Sequence, residues 1–172
     1  MKLDPSLRIR LATAADAPCL ASLRVLRRGS PPQALAWAKR GVERSSRANP
    51  TYRLLVAERE GEVLGYGVAT RFKPPEGSPE NVAPAGLYLM GLIVHPEHRR
   101  QGAGAALVAS RLDWIYEQDE LAYYFGDDAN TATVALHNSF GFQPVTQDFW
   151  VPGLADPDEP MTLYRLERSN RT

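Results

Sequence analysis

Length, composition and charge define the class of protein to which this chain belongs. The chain has 172 residues, of which 44% are hydrophobic and 23% are charged, a composition typical of a globular protein and not of a disordered one. Its 20 basic and 20 acidic residues cancel, which argues against nucleic acid or a membrane surface as a partner. With one cysteine and no apolar leader, the sequence predicts a single cytoplasmic domain, 1–172, ordered from about residue 6 to about residue 168.

The first fifty residues predict one strand and two helices. Apolar and basic side chains alternate over residues 7–11, the period-two pattern of a half-buried strand. Thr13 followed by Asp16 indicates a capped helix start, and the helix is expected to run to about Arg28. Pro31 or the proline after it is then suited to the first turn of a second helix.

The middle of the chain predicts a hairpin, a loop and a central strand. Residues 52–59 and 63–72 read as two antiparallel strands joined by a short turn. The stretch 73–86 is rich in proline and polar residues, which favours a surface loop. Residues 87–94 are almost continuously apolar, as in a strand covered on both faces.

The last third predicts two helices and three strands. One helix carries an apolar face of Val108, Leu112 and Ile115, and a buried strand follows at 121–125. A short helix ending at a glycine then carries the apolar stripe Ala132, Leu136 and Phe140. Residues 142–151 and 161–167 read as a final pair of strands around the loop 152–160. The order β-α-α-β-β-β-α-β-α-β-β predicts an α/β fold, with a mixed sheet that is antiparallel early, parallel around the two later helices and covered by helices on both faces.

The segment between the central strand and the next helix is suited to anion binding. Gly102 and Gly104 open the helix directly after Arg99 and Arg100. Glycines let a ligand approach the backbone closely, and the first N–H groups of a helix are unpaired and lie at the positive end of its dipole. This segment therefore predicts a site for a pyrophosphate-bearing ligand.

The element order and two motifs resemble the GNAT superfamily of N-acetyltransferases. The family's Arg/Gln-x-x-Gly-x-Gly/Ala pattern is met by Arg99, Gly102 and Gly104, between a buried strand and an amphipathic helix. The resemblance implies acetyl-CoA as co-substrate, no metal, and direct attack of a primary amine on the thioester in a ternary complex. The amine could belong to a small molecule, a peptide or a protein, and a homodimer is a further expectation of the family.

The resemblance also implies which residues hold acetyl-CoA. The strand end would pair its backbone with the pantetheine amides, the glycine turn would hold the pyrophosphate, and the short helix near the C-terminus would face the cofactor. The cofactor-binding residues predicted in this way are Leu92, Ile93, Val94, Arg99, Arg100, Gln101, Gly102, Ala103, Gly104, Ala105, Asn130, Thr133 and His137.

A second motif departs from the family pattern at one position that matters for catalysis. The segment from Asn130 to Phe142 resembles the family's Asn-x-x-Ala-x-x-Phe-Tyr-x-x-x-Gly-Phe block, but His137 stands where the tyrosine that protonates the leaving thiolate is found. This histidine resembles the phosphinothricin-acetyltransferase branch. Asn130, Thr133 and His137 are expected on one helix face, opposite the apolar stripe. His137 is predicted to contact the cofactor sulfur, with a neutral imidazole N–H still able to donate to it.

Several residues are candidates for the group that deprotonates the amine. In some relatives a glutamate on the central strand accepts this proton. The corresponding position here falls near Tyr88, which is expected to contact substrate or order water. Asp127 follows a strand whose end faces the ligand crevice, so it is a candidate general base as well as a turn residue. Other candidates are Asp128, Glu97 and His95.

Two alternatives to an acetyltransferase are kept open. A module that binds acyl-CoA without catalysis, as a sensor or scaffold, would explain the missing tyrosine and the missing strand carboxylate. A dinucleotide-binding oxidoreductase also places glycines between a strand and a helix, but here the third small position is occupied by Leu107.

Overall fold

The computed structural model describes residues 6–27, 29–45, 48–153 and 160–171. Its strands are β1 (Leu7–Leu11), β2 (Tyr52–Arg59), β3 (Glu62–Phe72), β4 (Gly86–Val94), β5 (Leu121–Asp127), β6 (Gln143–Thr146) and β7 (Met161–Glu167). Its α-helices are α1 (Ala17–Val25), α2 (Pro31–Arg44), α3 (Ala103–Tyr116) and α4 (Thr131–Asn138). This order confirms the predicted α/β fold class.

The described strands form one sheet in the order β1-β2-β3-β4-β5-β7-β6. Only β4 and β5 pair in parallel, because α3 carries the chain back across the sheet between them. The prediction of parallel pairing around both later helices is wrong for α4. Although β6 runs in the same direction as β5, β7 lies between them and is antiparallel to both. The predicted strand at 142–151 is also shorter, and residues 154–159 of the predicted loop lie outside the described residues.

The two faces of the sheet are covered by different helices. On one face, the predicted stripe of Val108, Leu112 and Ile115 is completely buried against strand residues that include Leu89 and Tyr124. On the other face, α1 and α2 pack on β2 and β3 around Leu20, Ala38, Leu54, Val56 and Tyr66. Alternate residues of each strand therefore belong to different cores.

The start of the first helical segment is stabilised by an ion pair as well as by capping. The Asp16 carboxylate accepts hydrogen bonds from the Thr13 N–H and hydroxyl, at 2.7 and 2.9 Å, and pairs with Arg10 at 2.7 Å. Burial acts to raise the pKa of Asp16, but the hydrogen bonds from Arg10 and Thr13 outweigh it, so the pKa is lowered. α1 ends at Val25, before the predicted end at Arg28, which lies outside the described residues.

The orientation of α4 differs from the prediction. Ala132, assigned to the apolar stripe, is exposed, whereas His137, assigned to the polar face, has only 3% of its surface exposed. Val134, Leu136 and Phe140 are partly buried against the α3 core. The helix is rotated from the expected orientation, because the His137 ring packs inside the core and stacks on the ring of Tyr124.

None of the helices in the described ranges is long and apolar enough to cross a membrane.

Candidate functional site

The central feature of the candidate site is a gap between β4 and β5. The two strands pair only at Leu87↔Ala122 and Tyr88↔Tyr123, and beyond Tyr88 the β5-facing edge of β4 has no paired strand among the described residues. The other edge of β4 stays paired with β3 as far as Val94. An unpaired strand edge presents N–H and C=O groups at which an extended, amide-bearing ligand can bind like an added strand.

A β-bulge in β4 accompanies the gap. The pairing of β3 with β4 shifts register between Tyr66 and Val68, and Gly91 on the β4 side has a φ of 50°. Such a bulge leaves a residue unpaired and bends its strand. It lies in the part of β4 that is no longer paired with β5.

The chain then forms a tight turn at the N-terminus of α3, where the sequence predicts an anion site. Arg100 has a φ of 63° and Gly102 a φ of 89°, both in the left-handed region. The first intrahelical bond runs from Ala106 N–H to the Gly102 carbonyl at 3.0 Å, so the N–H groups of 103–105 have no acceptor within the helix. No atom comes within 4 Å of the position that a Cβ on Gly102 would occupy. Left-handed residues before a helix start make a concave set of N–H donors suited to phosphate.

Arginine side chains surround this turn. Arg99 and Arg100 are exposed, and the Arg99 Nε donates to the Val94 carbonyl at 3.3 Å, which holds the side chain beside the end of β4. Arg59 Nη1 donates to the Gln101 side chain at 2.7 Å. Gln101 in turn donates to the Glu97 carbonyl at 3.0 Å. These contacts position cationic side chains at the mouth of the turn.

Helix α4 lies directly beside the turn. A Cβ on Gly104 would be 3.4 Å from Leu136 of α4, so Gly104 permits close packing of the two helices. Asn130, at the start of α4, accepts a hydrogen bond from the Thr133 N–H at 3.2 Å. Its side-chain amide nitrogen is not used by this cap. The predicted cofactor residues of the strand and the turn therefore lie at one end of the gap, and α4 packs beside the turn through Leu136.

His137 is held in the core in one tautomer. Its ring stacks on Tyr124 with centroids 4.0 Å apart, and Nδ1 lies 2.9 Å from the Thr133 carbonyl oxygen. A carbonyl oxygen can only accept, so Nδ1 carries the proton. Burial lowers the pKa of His137 to about 4, which keeps the ring neutral near pH 7. The neutral ring therefore has no proton on Nε2, and it cannot donate to a sulfur atom in the way that the sequence analysis expected.

A cavity of about 320 Å³ opens on the opposite face of the sheet. It includes Met90 of β4 and Phe125 of β5, which flank the gap, together with Arg71, Phe72 and Tyr88. The remaining lining residues are Thr70, Val151 and Pro152. A small molecule in this cavity would reach the gap from the side opposite to α3 and α4.

Tyr88 forms part of the cavity wall. Its hydroxyl donates to the Pro84 carbonyl at 2.7 Å, and its ring stacks on Tyr123 with centroids 5.1 Å apart. Burial, and then the neighbouring Tyr123, raise the pKa of Tyr88. The ring can contact a substrate, but the hydroxyl is already bonded and stays protonated.

The two aspartates at the end of β5, Asp127 within the strand and Asp128 directly after it, have different surroundings. The Asp127 carboxylate accepts the Ala129 N–H at 2.8 Å, which is the turn role that the sequence analysis had weighed against catalysis. Asp128 accepts hydrogen bonds from Gln147 at 2.8 Å and from Thr162 at 2.9 Å. Asp128 thus connects the end of β5 to β7 and to the segment that follows β6.

Aromatic residues pack at two different places on this face of the sheet. Tyr66 packs against Trp37 with centroids 5.1 Å apart, and the Arg44 guanidinium lies 4.3 Å from the Tyr52 ring centroid. These side chains belong to the α1–α2 core and are not among the residues that line the cavity. Phe149 packs against Phe125, a cavity residue, at 5.6 Å.

Comparison with known proteins identifies the family. The model of the Acetyltransferase (GNAT) family matches residues 21–142, which contain the gap, the turn and α4. The chain belongs to this family. It is therefore an acetyltransferase by family. A dinucleotide-binding oxidoreductase needs a mostly parallel sheet, and the described strands contain a single parallel pair, which argues against that alternative. No curated protein matches the sequence significantly.

Solved GNAT structures share the fold over almost the whole chain. The protein yncA from Salmonella typhimurium, solved with its cofactor acetyl-CoA, is 22% identical with a TM-score of 0.68, covering 95% of this chain and 94% of its own. A ribosomal-protein-alanine N-acetyltransferase from Brucella melitensis is 24% identical with a TM-score of 0.68, covering 93% and 99%. Spermidine N-acetyltransferase from Vibrio cholerae, solved with CoA and spermine, is 15% identical with a TM-score of 0.68, covering 97% and 98%.

Sequence reasoning missed one buried residue of this GNAT protein. Arg111 has 1% of its surface exposed and lies against the bulge. The signal was its spacing, since it follows Leu107 by four residues and precedes Ile115 by four, which places a cation on the buried face of α3. In the described part of the chain, no group of three or more potential metal ligands is present.

Proposed function

We propose that this GNAT protein transfers an acetyl group from acetyl-CoA to a primary amine, by direct attack of the amine within a ternary complex. The observation that carries the proposal is the juxtaposition of an unpaired β4 edge with a left-handed turn and a helix N-terminus at its end. A pantetheine arm is extended and contains amides, and it is joined to a pyrophosphate. The two parts of the site match the two parts of this ligand in the same order along the chain.

The proposed cofactor contacts follow from this arrangement. Leu92, Ile93 and Val94 would offer backbone groups to the pantetheine, since their β5-facing edge is unpaired. The N–H groups of the turn and first helical residues, 99–105, would bind the pyrophosphate, with the exposed arginines adding charge. On α4, the amide nitrogen of Asn130 has no hydrogen-bond acceptor among the described residues and would be available to the cofactor, while Thr133 and His137 lie one and two turns further along.

The cavity on the opposite face is proposed to hold the acceptor. It reaches the gap between Met90 and Phe125, so an amine there and a thioester in the gap would meet through the sheet. Positioning two reactants in this way supplies a large part of a catalytic rate. Tyr88 would contribute as a wall of the cavity. Asp127 or an ordered water would receive the amine proton, because the Tyr88 hydroxyl is already bonded to Pro84.

A thiol-release assay tests the proposal. The purified protein is mixed with acetyl-CoA and each member of a panel of amino acids, polyamines, aromatic amines and peptides, and free CoA is measured. Amine-dependent release with an acetylated product is expected for at least one class of acceptor. Tight CoA binding with no turnover on any amine would favour the sensor or scaffold alternative instead, and absence of CoA binding would refute both.

A further inference from the structure

The cavity on the face of the sheet opposite α3 and α4 has an apolar and largely aromatic wall. The rings of Phe72 and Tyr88 meet edge to face with centroids 5.8 Å apart, and those of Tyr88 and Phe125 with centroids 6.3 Å apart. Met90 and Val151 extend this wall, and all five residues belong to one apolar cluster. A molecule in the cavity would therefore contact aromatic rings and aliphatic groups.

The hydroxyl groups of the wall are neutral and already bonded. The Tyr88 hydroxyl donates to the Pro84 carbonyl at 2.7 Å, and burial raises the pKa of Tyr88. The Thr70 hydroxyl donates to the Thr51 carbonyl at 3.4 Å. Neither hydroxyl offers a charge to a molecule in the cavity.

Arg71 is the one charged residue among the described residues that line the cavity, but its side chain belongs to the other face of the sheet. Thr70 pairs with Tyr88 on the cavity side, whereas Arg71 pairs with Leu87, which is buried in the α3 core. Successive side chains of a strand point to opposite faces. The Arg71 Nη1 lies 4.0 Å from the Asp119 carboxylate, so the guanidinium is engaged outside the cavity.

The nearby carboxylates do not line the cavity either. Asp127 lies two residues beyond Phe125 and so on the same face of β5, where its carboxylate accepts the Ala129 N–H at 2.8 Å. The exposed Asp148 accepts a hydrogen bond from the Asn81 side chain at 2.7 Å. The carboxylate on the cavity side of β5 thus flanks the gap and not the body of the cavity.

Backbone hydrogen bonds hold the outer wall of the cavity in place. The Ala83 N–H donates to the Trp150 carbonyl at 2.9 Å, and the Trp150 N–H donates to the Asn81 carbonyl at 2.9 Å. They join the loop before β4 to the segment after β6, which carries Val151 into the wall. The position of the apolar wall therefore does not depend on a ligand.

We infer that the acceptor of this enzyme is a primary amine with an apolar, preferably aromatic, body and no second charged group. The inference rests on the proposed function and specifies the substrate class of its acceptor cavity. A carboxylate or a second ammonium in the cavity would lose its hydration without meeting an opposite charge. An aromatic body would instead pack against the rings of Phe72, Tyr88 and Phe125. Free amino acids and polyamines are therefore poor acceptors.

Apolar surroundings also favour the form of the amine that reacts. Burial away from water disfavours an ammonium and favours the neutral amine. The neutral nitrogen forms the C–N bond to the thioester carbonyl carbon, and the electron pair of the broken C–S bond leaves on sulfur. The one proton that nitrogen loses passes to Asp127 or to water, and the thiolate takes up a proton from water.

Pairs of amines that differ by one charge test the inference. Phenylalanine adds a carboxylate to phenylethylamine, and cadaverine adds an ammonium to pentylamine. Thiol release at saturating acetyl-CoA gives kcat/KM for each. The member without the additional charge is expected to have a kcat/KM at least about tenfold higher in both pairs, and phenylethylamine is expected to exceed pentylamine.

A charge placed in the wall should change this preference. Thr70→Asp is expected to raise the ratio of kcat/KM for cadaverine over pentylamine by about tenfold. Ser22→Asp, at an exposed position of α1 outside the cavity, is expected to keep the wild-type ratio. If Thr70→Asp does not fold, the wild-type comparison decides alone.

The possible results separate the inference from the proposed function. Turnover that favours phenylalanine, or that is equal within both pairs, would overturn the inference and leave the acetyltransferase reaction in place. A preference for cadaverine would also overturn it and would show that the ring faces bind a cation. Absence of turnover with every amine would overturn the proposed function, and the inference with it.

Discussion

Substitution of Gly102 by alanine separates the conformational role of this glycine from its role in anion binding. The φ of 89° at Gly102 is unfavourable for a residue with a Cβ, and a left-handed non-glycine residue costs about 1 to 2 kcal/mol. Because no atom lies within 4 Å of the added methyl group, no steric clash adds to this. We expect a fall in Tm of about 3 to 6 °C for a chain of this size.

The effect on ligand affinity is expected to be larger than the effect on stability. The methyl group would project into the open space before the N–H groups of α3, and a relaxed φ would redirect donors away from the phosphates. Loss of one or two hydrogen bonds to a charged group costs about 1.5 to 3 kcal/mol. Titration calorimetry with CoA should therefore show a Kd raised about tenfold to a hundredfold.

A matched control exists in the loop between β3 and β4. Gly77 has a φ of 76° and, like Gly102, no atom within 4 Å of its absent Cβ. Gly77→Ala should lower Tm by a similar amount and leave the affinity for CoA unchanged. If Gly102→Ala binds CoA as tightly as Gly77→Ala does, the N–H groups of this turn do not hold the pyrophosphate, and the proposed cofactor site is refuted.

Three further predictions concern stability. Gly65→Ala places a Cβ 2.5 Å from the Ile93 carbonyl oxygen and should destabilise the fold by about 2 to 3 kcal/mol in urea unfolding, whereas Gly126→Ala, whose nearest atom is 3.5 Å away, should be tolerated. The pKa of Asp16 is lowered in the fold, so its contribution to stability is complete above the unfolded pKa of about 3.9 and is lost as pH falls below it; unfolding of Asp16→Asn should lack this acid dependence. The pKa of His137 is lowered to about 4, so stability should fall by about 3 kcal/mol between about pH 6.5 and about pH 4 as the unfolded chain takes up a proton first. A His137→Gln variant that keeps this slope would contradict the assignment.

Much of the backbone arrangement was predictable from local patterns. Alternation predicted β1, the prolines predicted the start of α2, and the apolar stripe of α3 is buried as expected. These features depend on periods of 2 and 3.6 residues and on caps, which a single sequence displays directly. The glycine turn was predictable for the same reason, since left-handed positions and helix starts have local requirements.

The side-chain roles in α4 could not be predicted in this way. Helical spacing placed His137 on the same polar face as Asn130 and Thr133. In the structure its ring is instead enclosed by Tyr124 and Phe142. Its Nδ1–H is used by the Thr133 carbonyl one turn earlier. Which ring stacks on which depends on neighbours that come from other elements of the chain, and that information is not local.

The sequence by itself determined the order of elements, the family and the position of the glycine turn before α3, because each depends on short-range spacing and on residues with special backbone requirements. The tertiary structure alone decided that β4 and β5 separate after two residue pairs, that His137 is neutral with its proton on Nδ1, and that Arg111 is buried beside the bulge. These properties arise where strands, helices and charges from distant parts of the chain exclude water together, since burial changes pKa values and leaves polar groups with only the partners that the fold brings to them.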